Sequence, residues 1–232
     1  MKKLLMALLI AMGTIPTLSI AGVCSLRFTG LSINHAEEVC YKGDVQFREI
    51  DEPHRVVGGA MSKDETTIIE MIEYTERSPA DKKTKNHYNV GLLMYKISDG
   101  SVTQDFIAKG RGISGGEHSG ICDFNSVALS QNGGETYIEC PDGNEFSSIY
   151  ILNNTDKKIS KEIAKGSVVG VVNYGEFANH LLVFQRNKNK SGGYYDSYYL
   201  ISPDGKKRKR LTDDAKSACA FLRENGGDRC QL

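Results

Sequence analysis

Short apolar and β-branched runs alternate along the chain with clusters of Gly, Asn, Asp and Lys, and helical periodicity is scarce. The clearest example is residues 196–212, where an aromatic and aliphatic run leads into Pro203-Asp204-Gly205 and a second extended segment follows. Proline presets φ and glycine is free to adopt a positive φ. This stretch therefore predicts a β-hairpin.

Runs of the same kind predict further strands along the chain. In order they are 24–29, 38–41, 44–50, 55–61, 66–74, 88–98, 101–108, 126–130, 135–140, 147–153, 158–163, 167–173 and 180–186. One helix is predicted near the end, over Asp213–Arg223, with Thr212 as its N-cap and two glycines beyond its stop. The pattern predicts an all-β protein with a short C-terminal helix.

The predicted turns recur at a nearly regular spacing. Turns after the third strand of each predicted unit fall at Asp51, Asp99, Asp156 and Asp204, separated by 48, 57 and 48 residues. Four strands in each such period are typical of β-propeller blades. The pattern predicts a small or partial β-propeller-like array of about four four-stranded units. Because the first unit, Cys24–Asp51, leaves little room for an outer strand, an irregular β-sandwich is the alternative.

The hairpin also carries a family resemblance. Residues Tyr198–Ile201, then Asp204-Gly205, then Arg208, Leu211 and Thr212 resemble the outer hairpin of the WD-like repeats in TolB-type periplasmic β-propellers. Two weaker matches to the inner S-P-D-G turn of those repeats are Ser130-Gln131-Asn132-Gly133 and Ser62-Lys63-Asp64. The resemblance covers about half of the mature chain, and it implies an architecture and a scaffold for binding but no catalytic residue.

The N-terminal segment has the order of regions expected of a bacterial-type signal peptide. Two lysines precede an unbroken apolar run, 4–12, and Ser19 and Ala21 are the small residues expected at positions −3 and −1. Nine apolar residues are too few to cross about 30 Å of hydrocarbon. We therefore expect cleavage after Ala21, which leaves 22–232 as a single β-rich domain in the periplasm or outside the cell.

Cysteine usage agrees with export. Six cysteines follow the predicted cleavage point: Cys24, Cys40, Cys122, Cys140, Cys219 and Cys230. Spacing alone does not fix their pairing, but three local pairs, 24–40, 122–140 and 219–230, are favoured for an exported chain. Because no C-x-x-C is present and no His stands at ligand spacing, we expect disulfides rather than a metal, and no cofactor.

The balance of charge argues against two classes of partner. Removal of residues 1–21 leaves 27 Lys and Arg against 29 Asp and Glu. A chain of this charge has no electrostatic case for nucleic acid or for an anionic membrane. No further apolar run is long enough to span a bilayer, so no membrane span is expected.

The candidate binding surface lies around the C-terminal hairpin. Tyrosines cluster just before and within its first strand, and the basic run K-K-R-K-R follows its turn. The cations either bind an acidic partner or protect an edge strand from aggregation. The tyrosines either form a binding surface or are ordinary strand residues. The predicted surface consists of Tyr194, Tyr195, Lys206, Lys207, Arg208 and Arg210.

Residues 110–120 form a Gly-rich stretch that contains the candidate for catalysis. Gly112–Gly116 fits G-x-S-x-G, with Ser114 as the nucleophile and His118 close by. That elbow needs a following helix and an α/β sheet, which the β-rich pattern does not predict. The same stretch fits G-x-G-x-x-G, but no helix-forming sequence follows to hold a pyrophosphate.

Two functional hypotheses follow. The first is an exported, disulfide-stabilised propeller-like protein that binds another protein of the cell envelope, as a complex subunit or as a periplasmic inhibitor or immunity-type protein, without catalysis. The alternative is a secreted serine hydrolase that uses the Gly-rich loop around Ser114. Oligomeric state is not predicted by the sequence.

Overall fold

The computed structural model describes residues 31–33, 39–41, 44–45, 54–76, 87–110, 122, 124–141, 147–227 and 230. Its strands are β1 (Leu31–Ile33), β2 (Val39–Tyr41), β3 (Asp44–Val45), β4 (His54–Met61), β5 (Thr67–Glu76), β6 (His87–Ser98), β7 (Ser101–Lys109), β8 (Ser126–Leu129), β9 (Glu135–Pro141), β10 (Ser147–Asn153), β11 (Ala164–Lys165), β12 (Ser167–Val171), β13 (Leu181–Lys188), β14 (Tyr194–Ile201) and β15 (Arg208–Thr212). A 3-10 turn spans Gly175–Phe177, and one helix, α1, spans Ala215–Glu224.

Twelve of these strands form three antiparallel sheets in which neighbours along the chain are neighbours in space. We call them the first blade (β4–β7), the second blade (β8–β11) and the third blade (β12–β15). The predicted all-β, propeller-like array with a C-terminal helix is confirmed. In the described part of the first predicted unit, β1–β3 are only two or three residues long and form a three-stranded sheet.

The blades pack in series rather than as two layers. One core cluster joins the first and second blades, through residues such as Ile69, Leu92 and Ile138. Another joins the second and third blades, through Tyr137 and Leu181 among others. Because the second blade therefore buries both of its faces, the two-sheet sandwich is not the architecture of this chain.

Helix α1 covers the remaining face of the third blade. Ala218 and Leu222, four residues apart on one side of the helix, are fully buried against Val169, Leu182 and other blade residues. The end of the helix is tied to the blade, since the Asn225 carbonyl accepts bonds from the backbone N–H groups of residues 173 and 174. The helix thus occupies the face on which a further blade would pack.

The start of this helix differs from the sequence prediction. Asp214, not Thr212, is the N-cap, and its carboxylate accepts the Ser217 N–H at 2.6 Å. Thr212 is the last residue of β15, where it pairs with Tyr198. Its hydroxyl oxygen accepts the Asp214 N–H instead, so the helix begins later than predicted.

The outer strand of the second blade also differs from the prediction. Residues 158–163 are not a strand, and the fourth strand is the two-residue β11. The physical reason is a side-chain bond, because the Ser160 hydroxyl accepts the Ile151 N–H at 2.9 Å. That side-chain bond takes the place of one of the backbone hydrogen bonds that a strand paired with β10 would form. Between β10 and residues 158–163, the remaining ladder pair is an isolated bridge between Leu152 and Ile159.

Three turns share one hydrogen-bond pattern. In each, a serine hydroxyl donates to an Asx side chain two residues later and accepts the backbone N–H five residues later. The serines are Ser62, Ser130 and Ser202. The fourth position has a positive φ in every case, at Glu65 (57°), Gly133 (66°) and Gly205 (70°). A serine followed two residues later by Asp or Asn therefore forms the same turn at three places in the chain.

Because Glu65 holds a left-handed conformation that glycine holds in the other two turns, Glu65→Gly is expected to raise the free energy of unfolding by about 0.5 kcal/mol. Relief of the left-handed strain outweighs the extra freedom of glycine in the unfolded chain. Urea unfolding measures the change. Lys63→Gly in the same turn is the matched control and should lose stability, and an equal loss in both variants would contradict the turn geometry.

Two of the three predicted disulfides lie in the described residues and are confirmed. Cys122 is bonded to Cys140 and Cys219 to Cys230, with Cα–Cα distances of 5.6 and 5.4 Å. The first joins the segment before β8 to β9, and the second fixes the chain beyond α1 to that helix. The predicted 24–40 pair, the signal peptide 1–21 and the turn at Asp51 lie outside the described residues or side chains.

Candidate binding surface

The C-terminal hairpin forms the outer half of the third blade. Strand β14 pairs with β13 on one side and β15 on the other, and β15 ends the sheet. The β14–β15 register shifts between Tyr198, which pairs with Thr212, and Tyr199, which pairs with Arg210. The extra residue, Leu211, is a bulge that sets which side chains of β15 face the tyrosines of β14.

Arg208 lies flat across the hairpin. Its guanidinium carbon is 3.7 Å from the centroid of the Tyr199 ring, and its Nη2 donates to the Gln185 side-chain oxygen. Gln185 in turn donates to the backbone oxygen of Lys165 on the second blade. The cation is therefore held by a neutral amide and an aromatic face, and its charge is not cancelled by a described carboxylate.

Arg210 lies on the same face and is held differently. Its Nε donates to Asp213 at 2.9 Å and its Nη2 to the other oxygen of that carboxylate. This pairing, with the Ser197 hydroxyl, holds the pKa of Asp213 below its ordinary value, and the bond to Asp213 raises the pKa of Arg210. The guanidinium carbon is 6.0 Å from the centroid of the Tyr195 ring.

The structure brings together some of the predicted surface residues and separates others. Tyr195 and Tyr199 alternate with Tyr194 and Tyr198 along β14, and Tyr198 packs in the cluster beneath α1. Tyr194 is therefore on the helix side of the blade, although 52% of it is exposed. Of the predicted surface residues, Tyr195, Arg208 and Arg210 share the face opposite α1.

The two predicted lysines lie at the far end of the strand from these tyrosines. Lys206 and Lys207 are exposed in the β14–β15 turn, and Lys206 forms an ion pair with Asp204 at 3.5 Å. The Ser202 hydroxyl and the Lys206 N–H lower the pKa of Asp204, which fixes the turn. Lys209, which is not in the predicted surface, lies 4.5 Å from the centroid of the Phe177 ring on the helix side.

We call Tyr195, Tyr199, Arg208 and Arg210 the arginine–tyrosine face. Tyr199 is half-buried and also packs in the cluster between the second and third blades, so the exposed ring of this face is that of Tyr195. Sequence reasoning includes three of these residues but leaves out Tyr199, and it does not predict the pairing of each arginine with a ring. That pairing depends on the bulge at Leu211, which the sequence does not signal. The unbroken run of cations along 206–210, beside the tyrosines of β14, is the signal for the face itself.

A buried carboxylate at the junction of the second and third blades is not predicted by the sequence at all. Glu139 is only 7% exposed, and its Oε2 accepts from the Ser126 hydroxyl at 3.0 Å and from the Val168 N–H at 3.0 Å. Its Oε1 accepts from the Ser167 hydroxyl at 3.1 Å. Since these donors come from both blades, the carboxylate joins them.

The sequence candidates for metal binding, catalysis and membrane insertion fare differently in the described residues. No three of their His, Cys, Asp and Glu side chains gather in a metal-binding group. Ser114 and His118 lie in 111–121, outside the part of the chain that the structure describes. None of the helical segments in the described part combines the length and apolar character needed to cross a bilayer.

No protein-family model matches the chain, and no curated protein matches it. Solved structures similar to it contain β-propellers. The propeller domain of the Trilobed protease from Pyrococcus furiosus is 10% identical, with a TM-score of 0.47 over 79% of this chain and 52% of that one. TolB from Acinetobacter baumannii is 15% identical, with a TM-score of 0.38 over 78% of this chain and 37% of that one.

The acylaminoacyl peptidase of Pyrococcus horikoshii is 9% identical, with a TM-score of 0.40 over 69% of this chain and 25% of that one. The chain therefore spans about half, or less, of the length of these structures. At such identities the likeness concerns the fold alone. The structural similarity to propeller domains expected from the TolB-type motif is found over most of the chain.

Proposed function

We propose that this protein is exported and binds another protein of the cell envelope, without catalysing a reaction. It would act as a subunit of an envelope complex or as a periplasmic inhibitor or immunity-type protein. The observation that carries the proposal is the arginine–tyrosine face on the outer half of the third blade. The signal-like N-terminus and the two described disulfides support an oxidising location.

The composition of this face suits protein recognition. Arginine and tyrosine are enriched among the residues that dominate binding energy, because each combines a large contact area with directional hydrogen bonds. Tyr195 is 44% exposed, and Tyr194 on the other side of the same strand is also exposed. The rings are held by a blade rather than by a loop, so little side-chain freedom is lost on binding.

The roles of the polar groups elsewhere support binding over catalysis. Asp64, Asn132 and Asp204 each accept bonds within a turn, and Glu139 joins two blades. The Ser62 and Thr66 bonds outweigh partial burial and lower the pKa of Asp64. These side chains stabilise the blades.

Site-specific photo-crosslinking in cells tests the proposal. A photoreactive phenylalanine analogue placed at Tyr195 is expected to give a discrete adduct with an envelope protein, because this ring is exposed beside Arg210. The matched control places the same analogue at Lys96, an exposed position on β6 of the first blade. We expect no adduct there.

Equal adducts at both positions, or none at either, would contradict a binding role for this face. The hydrolase alternative has its own test, which is a screen of ester and peptide substrates with the purified protein. A hydrolytic activity that disappears in Ser114→Ala would overturn the proposal that the protein does no chemistry.

A further inference from the structure

Strand β15 lies at the edge of its sheet. It is the last strand of the third blade, and among the described residues it pairs with β14 alone. Ser202 N–H donates to the Lys207 carbonyl at 2.9 Å, which makes residues 202 and 207 a hydrogen-bonded pair. Such pairs alternate along an antiparallel ladder, so Lys209 also bonds toward β14. The backbone groups of Arg208 and Arg210 therefore point away from the sheet.

Cations line this edge on both faces. Arg208 and Arg210 lie on the face opposite α1, whereas Lys209 lies on the helix side over Phe177. No carboxylate among the described residues forms an ion pair with Arg208 or Lys209. A strand laid against this edge would meet cationic side chains from 208 to 210, on both faces; that of Arg210 is already paired with Asp213, so the charges left for a partner are those of Arg208 and Lys209.

The neighbouring blade leaves this edge accessible. The fourth strand of the second blade, β11, has two residues, whereas β15 has five. The side chains of Arg208, Lys209 and Arg210 are all exposed. The second blade packs against β14 of the hairpin, where Ile163 and Ala164 share a cluster with Tyr199 and Ile201. The three cationic side chains of β15 remain accessible beside that contact.

We infer that β15 accepts an extended, acidic segment of the partner protein, which adds to the third blade as a fifth strand. The inference rests on the proposed function and specifies the chemistry of its partner. Backbone bonds to residues 208 and 210 would supply affinity, and carboxylates opposite the cations would supply selectivity. A second copy of this chain is disfavoured, because its own β15 would bring like charges together.

The test uses a short synthetic peptide in which Glu alternates with Val, carrying a fluorophore for anisotropy. We expect it to bind the wild-type protein, and we expect a peptide with Lys in place of Glu not to bind. Because Arg208→Glu puts like charges opposite each other, it should weaken binding at least about tenfold. The matched reversal Lys96→Glu on the first blade should leave binding within about twofold.

Strand addition has a direct signature in hydrogen exchange measured by NMR. The amide protons of Arg208 and Arg210 should exchange more slowly with the peptide bound, while that of Lys209 should not change. A peptide methylated on alternate backbone nitrogens, so that it cannot pair with the edge, should lose binding even though its charge is unchanged. This second measurement does not depend on any substitution in the protein.

Absence of binding by the acidic peptide would overturn the inference. Binding that dextran sulfate matches, without protection of the Arg208 and Arg210 amides, would instead indicate a general anion surface, such as one for envelope polysaccharides, and would also overturn it. If the Tyr195 crosslink forms but the acidic peptide does not bind, the proposed function is supported and strand addition is wrong. If the crosslink does not form and the peptide does not bind, both the proposed function and strand addition are wrong.

Discussion

Leu222→Ala is expected to lower the free energy of unfolding by about 4 kcal/mol, near the upper end of the range for a buried leucine. Leu222 is fully buried on the side of α1 that faces the third blade. A Cβ built on Gly170 would stand only 2.6 Å from Leu222 Cδ2, so the leucine fills the space above a glycine of β12. Its removal leaves a cavity between helix and blade that neither rigid element can close.

Urea unfolding measures this loss. Lys216→Ala, on the exposed side of the same helix, is the control and should change stability by less than about 0.5 kcal/mol. Combining Gly170→Ala with Leu222→Ala provides a second check, because the new methyl group enters the cavity. The double variant should be more stable than the sum of the single effects predicts, by about 1 kcal/mol. Strict additivity would show that the two residues are not in contact.

Glu139→Ala is expected to cost about 3 kcal/mol, because it removes the acceptor of three hydrogen bonds at the junction of the second and third blades. The Ser126 and Ser167 hydroxyls and the Val168 N–H would each lose their partner. Glu139→Gln retains the size and one acceptor oxygen, so it should cost clearly less.

Thermal or urea unfolding of the two variants measures the difference. A loss in Glu139→Ala no larger than that in Glu139→Gln would mean that the donors find water or other acceptors. The junction would then be held by its apolar cluster alone. The variants also separate this junction from the hairpin, since neither changes a residue of the arginine–tyrosine face.

The turns of this fold can be predicted from the sequence because the side-chain hydrogen bonds that close them join residues only two positions apart. Ser202 and Asp204 close their own turn, and the same spacing at Ser62 and Ser130 gives the same bonds. Strand bounds follow from β-branched and aromatic runs to within a few residues, as at residues 147–153, where the prediction and β10 coincide.

The features that the sequence does not predict have non-local or competing causes. Residues 158–163 have a composition that suits a strand, but the Ser160 hydroxyl accepts the Ile151 N–H in place of a backbone carbonyl. Thr212 is a good N-cap residue by type, yet its pairing with Tyr198 keeps it in the sheet. In the sequence Glu139 has no feature that separates it from other polar strand residues, because two of the donors that bind its carboxylate belong to the third blade. Pairing of arginines with rings depends on a one-residue bulge.

Helix α1 covers the face of the third blade that the second blade does not, and this role of the helix is central to the fold. Hydrogen exchange of individual amides under native conditions tests it most directly. If the helix cannot leave without exposing the blade, the amides of Ala218 and Leu222 should open with the same free energy as those of Leu182 and Leu200. Helix amides that exchange as fast as those of an isolated peptide, while the strand amides remain protected, would contradict this role.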